Sequence, residues 1–243
     1  MILVHGFPFR AEMWRPQLEH VPSGARFIAP DLRGFGGTPL GPLSDEPSSM
    51  NTYALDVFAL MDSLKIDAAT IAGFSMGGYV AFAMHRLAPR RFNGIVLADT
   101  RSPADTPQGR EGRVQMRKAL AVKGPSAVSS AMLPKLLSPN ADAATVELVR
   151  DMIDTAAAPA IDAAIVAMME RPDSTPDLQS IGVPALVLVG SDDVITPVAD
   201  AEAMRIGLPR ATLTVIPNAG HLANLEQPET FNRVLADHLL AHL

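Results

Sequence analysis

The sequence predicts an α/β protein with a mostly parallel sheet that helices cover on both faces, and three observations lead to this prediction. Short apolar segments rich in β-branched residues alternate along the chain with stretches whose apolar residues follow helical spacing. Polar or glycine-rich loops begin directly where several of these segments end. The chain has 243 residues, of which 48% are hydrophobic and 19% charged, enough for one large domain with a sizeable core.

The apolar segments predict a sheet of about six strands. Their ranges are 1–4, 26–29, 69–72, 94–98, 185–189 and 211–216. Helices are predicted over 52–64, 79–87 and 231–243. In the first of these helices we expect one broad buried side, formed by Leu55, Val57, Phe58, Leu60 and Met61.

Residues 101–182 interrupt this alternation. They contain no convincing strand, and prolines separate four helical patterns near 113–122, 126–137, 142–156 and 159–170. We therefore expect 1–100 and 183–243 to form the core and 101–182 to form a helical cap over one end of the sheet. Five methionines of this segment either line an acyl pocket or are ordinary packing residues: Met116, Met132, Met152, Met168 and Met169.

Composition and charge exclude several classes of protein. The net charge is −6 and no basic cluster stands out, which argues against a nucleic acid partner. The absence of cysteine excludes disulfides, thiolate metal sites and a cysteine nucleophile, and it fits a reducing compartment. No apolar run approaches the roughly 20 residues that span a membrane, and no signal-peptide pattern is present. We expect no membrane partner and a cytoplasmic location.

The segment Gly73-Phe74-Ser75-Met76-Gly77-Gly78 lies between a predicted strand and a predicted helix. Such a tight strand-to-helix turn holds a serine in a strained conformation and crowds its neighbours, which is why glycines stand two residues before and after it. The N-terminus of the helix also directs its N–H groups toward an oxyanion formed at Ser75. A chance match of Gly-x-Ser-x-Gly is the alternative, but the position between strand and helix favours a nucleophile elbow.

Two further polar positions directly follow predicted strands, namely the adjacent pair Asp192 and Asp193, and His221 near the C-terminus. The carboxyl ends of parallel strands converge on the crevice where ligands bind. A serine needs an imidazole to accept its proton, and the imidazole needs a carboxylate to fix its tautomer. We therefore predict a catalytic triad of Ser75, His221 and one of the two aspartates.

Together these motifs resemble those of the α/β-hydrolase superfamily over nearly the whole chain, in the order nucleophile, acid, base. The residues that carry the resemblance are His5-Gly6-Phe7-Pro8, Pro30-Asp31-Leu32-Arg33-Gly34, Gly73-Phe74-Ser75-Met76-Gly77-Gly78, Gly190-Ser191-Asp192-Asp193 and Gly220-His221. Within the superfamily, the stretches 78–82, 98–101 and 170–173 look most like those of small bacterial carboxylesterases with a helical cap.

The resemblance implies roles for individual residues. Family spacing places the acid at Asp193 rather than Asp192. In the family, the residue after His-Gly and the residue after the nucleophile donate backbone N–H groups to the oxyanion, here Phe7 and Met76. These two residues and Leu222 are also implied as substrate contacts. The implied activity is a serine carboxylesterase that acts on a small-molecule ester through an acyl-enzyme, with neither a metal nor an organic cofactor.

Other functions use the same residues. The triad also serves lactonases, perhydrolases and C–C hydrolases, which differ in pocket shape, and a ligand receptor without turnover can keep the whole fold. A panel of esters, lactones and peracid assays separates the enzymes, and thermal stabilisation by an unconsumed ligand indicates a receptor.

Several other polar residues have a simpler interpretation beside a functional one. His5 is either a base or a brace of the oxyanion loop, and we favour the brace. Asp31 and Asp99 are interpreted as loop caps. His238 and His242 have the spacing of a helical metal pair, but no third ligand is apparent, so we expect solvated positions on a terminal helix.

One feature departs from the family pattern. Most relatives have two strands, forming a hairpin, before the strand that carries His-Gly, whereas four residues precede His5 here. We therefore expect a six-stranded sheet whose edge is the segment 26–29. Unpaired edges invite association with another chain, so we expect this edge to be buried in a homodimer contact or shielded by local loops.

Overall fold

The computed structural model describes residues 1–41 and 49–242, and its centre is a parallel sheet of five strands in the order β1-β2-β3-β4-β5. The strands are β1 (Ile2–Val4), β2 (Ala69–Phe74), β3 (Phe92–Ala98), β4 (Ala185–Gly190) and β5 (Ala211–Ile216). Neither β2 nor β4 contains an exposed residue. A parallel strand that is apolar throughout must be covered on both faces, so this burial agrees with the α/β class that the alternation predicts.

Helices fill the connections between the strands. They are α1 (Arg15–Leu18), α2 (Met50–Ser63), α3 (Met76–Leu87), α4 (Pro107–Lys123), α5 (Pro125–Leu136), α6 (Ala143–Asp154), α7 (Ala158–Met169), α8 (Val198–Gly207), α9 (Ala223–Glu226) and α10 (Pro228–Leu240). Side-chain caps explain several starts: Ser49 accepts from the Thr52 N–H, and Asp142 accepts from the Thr145 N–H at 2.8 Å. The predicted final helix ends at Leu243, which lies outside the described residues.

The expected sixth strand over 26–29 is wrong. Only Ile28 pairs with β1, as an isolated parallel bridge to Ile2, with hydrogen bonds from the Ile28 N–H to the Met1 carbonyl (3.0 Å) and from the Leu3 N–H to the Ile28 carbonyl (2.8 Å). The physical reason is that β1 offers three residues and Pro30, which has no N–H, ends the pairing. These two backbone hydrogen bonds and one from the Met1 ammonium to the Arg26 carbonyl (2.6 Å) hold the segment 26–29 against the start of β1. The association of this edge with a second copy stays a prediction.

Two side chains are placed differently from the sequence-based expectation. Leu55 is 59% exposed because the buried stripe of α2 runs through Tyr53, Val57 and Met61, at spacings of four residues. His238 is buried rather than solvated, and burial lowers its pKa to about 4. Its ring lies 4.8 Å from that of His242, centroid to centroid.

Helices α4 to α7 follow β3 and precede β4, in the segment predicted as a cap. They pack mainly on one another: α4 contacts α5 and α7, and α5 contacts α6. Their own apolar interior includes Leu120, Val149 and Ile165, all buried. A separate cap with bounds 101–182 stays a prediction.

None of the helices described here is by itself long and apolar enough to cross a membrane. The pair α6 and α7 passes that test of length and composition when taken together, but a 93° bend separates the two helices.

Candidate active site

Ser75 lies at the turn between β2 and α3, in a backbone conformation that is rare for any residue other than glycine. Its φ is 51° and its ψ is −112°. Two hydrogen bonds hold this turn: the Ser75 N–H donates to the Ala98 carbonyl at 2.9 Å, and the Thr100 hydroxyl donates to the Ser75 carbonyl at 2.7 Å. The neighbouring strand β3 thus fixes the turn, and the Ser75 hydroxyl stays available for chemistry.

The two glycines of the Gly-x-Ser-x-Gly pattern are required by close approach of backbone segments. A Cβ at Gly73 would overlap the carbonyl of Gly77, and a Cβ at Gly77 would overlap the carbonyl of Val4. The turn therefore packs directly on the end of β1, with no room for a side chain at either position.

Ser75, His221 and Asp193 form a continuous chain of hydrogen bonds. The distance from His221 Nε2 to Ser75 Oγ is 2.9 Å, and the distance from His221 Nδ1 to Asp193 Oδ2 is 2.8 Å. This network assigns the proton of the neutral imidazole to Nδ1, so that Nε2 accepts from the serine. The His221 and Asp193 side chains are 3% and 0% exposed.

The loop after β4 holds the Asp193 carboxylate in place. Asp193 Oδ1 accepts from the N–H groups of Ile195 (2.8 Å) and Thr196 (2.9 Å), and Oδ2 also accepts from the Thr196 hydroxyl (2.6 Å). Burial alone would raise the pKa of Asp193, but His221 and these donors outweigh burial and lower it below its ordinary value. A carboxylate with so many donors stays ionised.

The adjacent Asp192 is exposed, and its carboxylate accepts a hydrogen bond from the hydroxyl of Ser191. Of the two aspartates, Asp193 is therefore the one that contacts His221. The two loops meet because Gly190 has no side chain: a Cβ there would overlap the carbonyls of Ala219 and Gly220.

The loop after β1 lies beside Ser75. A Cβ at Gly6 would lie 3.3 Å from the Cβ of Ser75, so the following residue, Phe7, is held close to the serine. Met76 is the first residue of α3, and its N–H belongs to the helix terminus, where no helical carbonyl is in reach. Phe7 and Met76 therefore each follow a residue at the turn, and the role of their amides as oxyanion donors stays a prediction.

His5 braces this loop and is not available as a base. Its Nε2 accepts from the Leu32 N–H at 3.0 Å, and its Nδ1 donates to the Gly6 carbonyl at 2.9 Å. Complete burial lowers the pKa of His5 to about 4, so the ring is neutral at ordinary pH. Both ring nitrogens are engaged, as the brace interpretation requires. Asp31 caps the same region, accepting from the N–H groups of Ala11 and Gly37.

The segment that carries His221 is fastened to the inserted helices. Leu222, expected to contact substrate, is fully buried, and its N–H donates to the Leu136 carbonyl at the end of α5. Glu226 bridges the two segments: one carboxylate oxygen accepts from the Gly220 N–H and the other from the Ser138 N–H, both at 2.8 Å. No local pattern in the sequence marks Glu226, because its two partners are distant from each other in the chain.

Of the five methionines in the inserted segment, Met152 and Met168 are buried, and the other three are partly buried against the core. Met152 also lines a cavity of about 650 Å³ together with Pro8 and Phe9, which directly follow the loop beside Ser75. Packing therefore accounts for most of these methionines. Met152 is the one that best fits the alternative interpretation, in which methionines line an acyl pocket.

The buried carboxyl of Asp99 lies near the triad but has no role in the predicted mechanism. Donor atoms of Asp99, Asp193 and His221 all lie within 4.8 Å of one another, a spacing that fits a metal ion. However, His221 Nδ1 already donates to Asp193 at 2.8 Å, so a metal ion would have to break the contact on which the imidazole depends. The loop-cap interpretation explains one oxygen of Asp99, which accepts from the Gly190 N–H at 2.8 Å.

Comparison with protein families gives one match that spans almost the whole chain. A family model described as the alpha/beta hydrolase family matches residues 1–234. Among curated proteins, 3-oxoadipate enol-lactonase 2 of Acinetobacter baylyi is 29% identical over 227 residues, covering 92% of this chain and 82% of the lactonase. A non-heme chloroperoxidase of Streptomyces lividans is 34% identical over 252 residues, covering 96% of this chain and 88% of that protein.

A solved structure is similar over the full length of the chain. It is a thermophilic esterase from Thermogutta terrifontis with malate bound, which is 37% identical and has a TM-score of 0.94. The match covers 100% of this chain and 90% of the esterase.

Proposed function

This chain belongs to the alpha/beta hydrolase family and is a hydrolase of that family, and on that premise we propose that it is a serine carboxylesterase that cleaves small carboxylic esters. The observation that carries the proposal is the hydrogen-bond chain from Ser75 Oγ through His221 to the buried Asp193. The similarity to the Thermogutta terrifontis esterase supports ester chemistry in particular.

In the acylation step, Ser75 Oγ attacks the ester carbonyl while His221 Nε2 accepts the serine proton. Asp193 keeps Nδ1 protonated and stabilises the imidazolium that forms. The negative charge moves to the carbonyl oxygen, where the amides of Phe7 and Met76 donate hydrogen bonds and the N-terminus of α3 adds its dipole. His221 then protonates the leaving alcohol, and the acyl group remains on Ser75.

In the deacylation step, His221 removes a proton from water, and the hydroxide attacks the acyl carbonyl. The same two amides stabilise the second oxyanion, and the return of the proton to Ser75 releases the acid. Every step uses groups of this chain, a small-molecule ester and water, so the proposal invokes neither a metal nor an organic cofactor.

The second candidate is a lactonase. A lactone is a cyclic ester that the same steps hydrolyse, and similarity to the Acinetobacter baylyi enol-lactonase over 92% of the chain favours it. The same site could also serve three other functions, namely perhydrolysis, C–C bond cleavage and ligand binding without turnover. Similarity to the Streptomyces lividans chloroperoxidase makes a peracid assay a useful part of the test.

A hydrolysis screen tests the proposal. We expect the protein to cleave p-nitrophenyl esters at some chain length between acetate and palmitate, and a serine-directed organophosphate to abolish the activity. Faster turnover of lactones than of any ester would favour the lactonase. A ligand that raises the melting temperature without being consumed, in the absence of any turnover, would favour the receptor.

Replacement of the nucleophile is the sharper test. We expect Ser75→Ala to lower turnover by several orders of magnitude, because no covalent intermediate forms, while the melting temperature stays close to that of the wild type. The control is Ser130→Ala, an exposed serine on α5. If Ser75→Ala keeps more than a few per cent of wild-type turnover, the assignment of the nucleophile is wrong.

A further inference from the structure

Asp99 is a buried carboxyl directly beside the proposed triad that the mechanism above does not use. It is the first residue after β3, has 0% exposure and a φ of 44°, and its N–H donates to the Leu188 carbonyl. Its Oδ1 accepts from the Gly190 N–H at 2.8 Å. Its Oδ2 is buried and has no hydrogen-bond acceptor or donor assigned to it among residues 1–41 and 49–242. Burying an ionised oxygen without a hydrogen-bond donor costs free energy, so protonation of Oδ2 is favoured.

The charges around Asp99 favour its neutral form. The titratable groups that face it are Asp193, His221 and Glu226. Two buried carboxyls this close do not both ionise, and the one with more donors keeps the charge. Asp193 has four donors, counting His221, whereas Asp99 has one. Burial first, and the charge of Asp193 second, raise the pKa of Asp99 well above its ordinary value.

The neighbouring groups also limit where such a proton can point. Glu226 acts on Asp99 through its charge alone, and its two oxygens accept the N–H groups of Gly220 and Ser138. His221 Nδ1 carries the proton it donates to Asp193, so it is not an acceptor. Although Asp193 already accepts four hydrogen bonds, it is the neighbouring titratable group whose side chain lies within hydrogen-bonding reach of Asp99, and it is therefore the acceptor among these groups.

We propose that Asp99 is a positioning residue of the active site, with a proton on Oδ2 that it donates toward the Asp193 carboxylate. The inference rests on the proposed function for its kinetic consequences, since it extends the chain Ser75–His221–Asp193 by a fourth member. The neutral acid shares the negative charge of Asp193 and fixes its orientation without adding a second buried charge. In this arrangement Asp99 acts on Ser75 through Asp193 and His221.

Two substitutions separate the proton from the rest of the side chain. Asp99→Asn keeps an oxygen for the Gly190 N–H and places an amide donor where the acid proton was. Asp99→Gly removes the side chain but suits the positive φ, so that backbone strain does not confuse the result. We expect kcat of Asp99→Asn within about threefold of the wild type, and kcat of Asp99→Gly lower by roughly tenfold to hundredfold, the worth of one hydrogen bond to a charged group.

The proton itself is observable by infrared spectroscopy. We expect a carbonyl-stretch band of a neutral carboxylic acid in the wild type at pH 7, lost in Asp99→Asn and kept in Asp192→Asn, whose carboxyl is exposed. A purely structural role through Gly190 predicts no such band, because an ionised carboxylate accepts that N–H equally well.

The proposal is overturned if the wild type lacks the band, or if Asp99→Asn loses as much kcat as Asp99→Gly. Should Asp99→Gly fail to fold, as judged by its melting curve, the Asn variant and the band decide. The infrared test of Asp99 also gives a result that does not depend on whether the esterase proposal is correct. A wild type that neither cleaves esters nor reacts with the organophosphate refutes the function, while the band still reports the proton on Asp99.

Discussion

At the scale of the residue, the two adjacent aspartates of the β4 loop allow a matched comparison. Asp193 accepts from His221 Nδ1 and from the Thr196 hydroxyl, whereas Asp192 is exposed. We expect Asp193→Asn to lower turnover by about 10⁴, because the amide favours the wrong tautomer of His221. Asp192→Asn should leave turnover within a few-fold of the wild type. Steady-state kinetics on one good ester decide, and the reverse order of effects would show that Asp192 orients the imidazole.

His5 predicts how stability depends on pH. Burial lowers its pKa to about 4 from its ordinary value of 6.5, so between these values the unfolded chain binds a proton that the folded chain does not. Stability should therefore fall as the pH drops below about 6.5, by up to about 3 kcal/mol for this one group. Urea unfolding at pH 7, 5.5 and 4.5 measures the effect.

The control for His5 is a histidine that is exposed. We expect His5→Gln, which cannot titrate, to be less stable than the wild type at pH 7 but to lose less stability on acidification. The matched substitution is His20→Gln on the surface, and the slope should be smaller in His5→Gln than in this variant. Some slope should persist in every variant, since burial also lowers the pKa of His238 to about 4. Equal slopes in His5→Gln and His20→Gln would contradict the argument.

Residues with a local signature could be predicted from the sequence, and residues defined only by their neighbours could not. Ser75 is marked by glycines that the turn needs for close approach, and His221 by its position after a strand; the structure brings both within hydrogen-bond distance. Asp99 also directly follows a strand, but nothing local distinguishes it from a loop cap, and Glu226 carries no such mark. Their importance depends on which loops the sheet order brings together, here those of Gly190, Gly220 and Ser138.

At the scale of the element, Glu226 connects the loop that carries His221 to the end of the inserted α5. Its carboxylate accepts two N–H groups, from Gly220 and Ser138. We expect Glu226→Gln to lower kcat about tenfold and to cost about 1–3 kcal/mol of stability, because the amide nitrogen would face one of these N–H groups. Glu229→Gln, an exposed acid at the second position of α10, is the control. Equal behaviour of the two variants would show that the bridge does not position His221.

Residues 26–29 and helix α2 show where a pattern of apolar residues does not predict the structure. Residues 26–29 are apolar enough for a strand, but a strand also needs a partner of matching length, and β1 supplies three residues. In α2 the spacing predicts the helix correctly but places Leu55 on the wrong side, because the burial stripe is narrower than the run of apolar residues. The sequence predicts the central strands within about two residues, because they are buried on both faces and therefore mostly apolar.

At the scale of the whole molecule, the buried Arg171 connects the two ends of the inserted segment with each other and with the core. The Arg171 side chain is 3% exposed and donates to Asp105 Oδ1 (2.8 Å), the Met168 carbonyl (2.7 Å) and the Pro103 carbonyl (2.9 Å). Its guanidinium carbon lies 4.0 Å from the centroid of the Tyr79 ring, on the helix that follows the nucleophile. Arg171 thus ties the beginning of the inserted segment to its end, over α3.

This arrangement predicts unequal effects for two arginines of the same segment. Arg171→Leu leaves Asp105, whose side chain is 6% exposed, with Arg113 as its remaining cation and leaves two backbone carbonyls without donors. Removal of one partner of a buried pair should cost about 3 kcal/mol. Arg110 pairs with Glu170 on the surface, where the side chains are 45% and 55% exposed, so Arg110→Leu should cost less than about 1 kcal/mol. Urea unfolding of both variants measures the difference, and equal costs would show that Arg171 does not hold the inserted helices on the core.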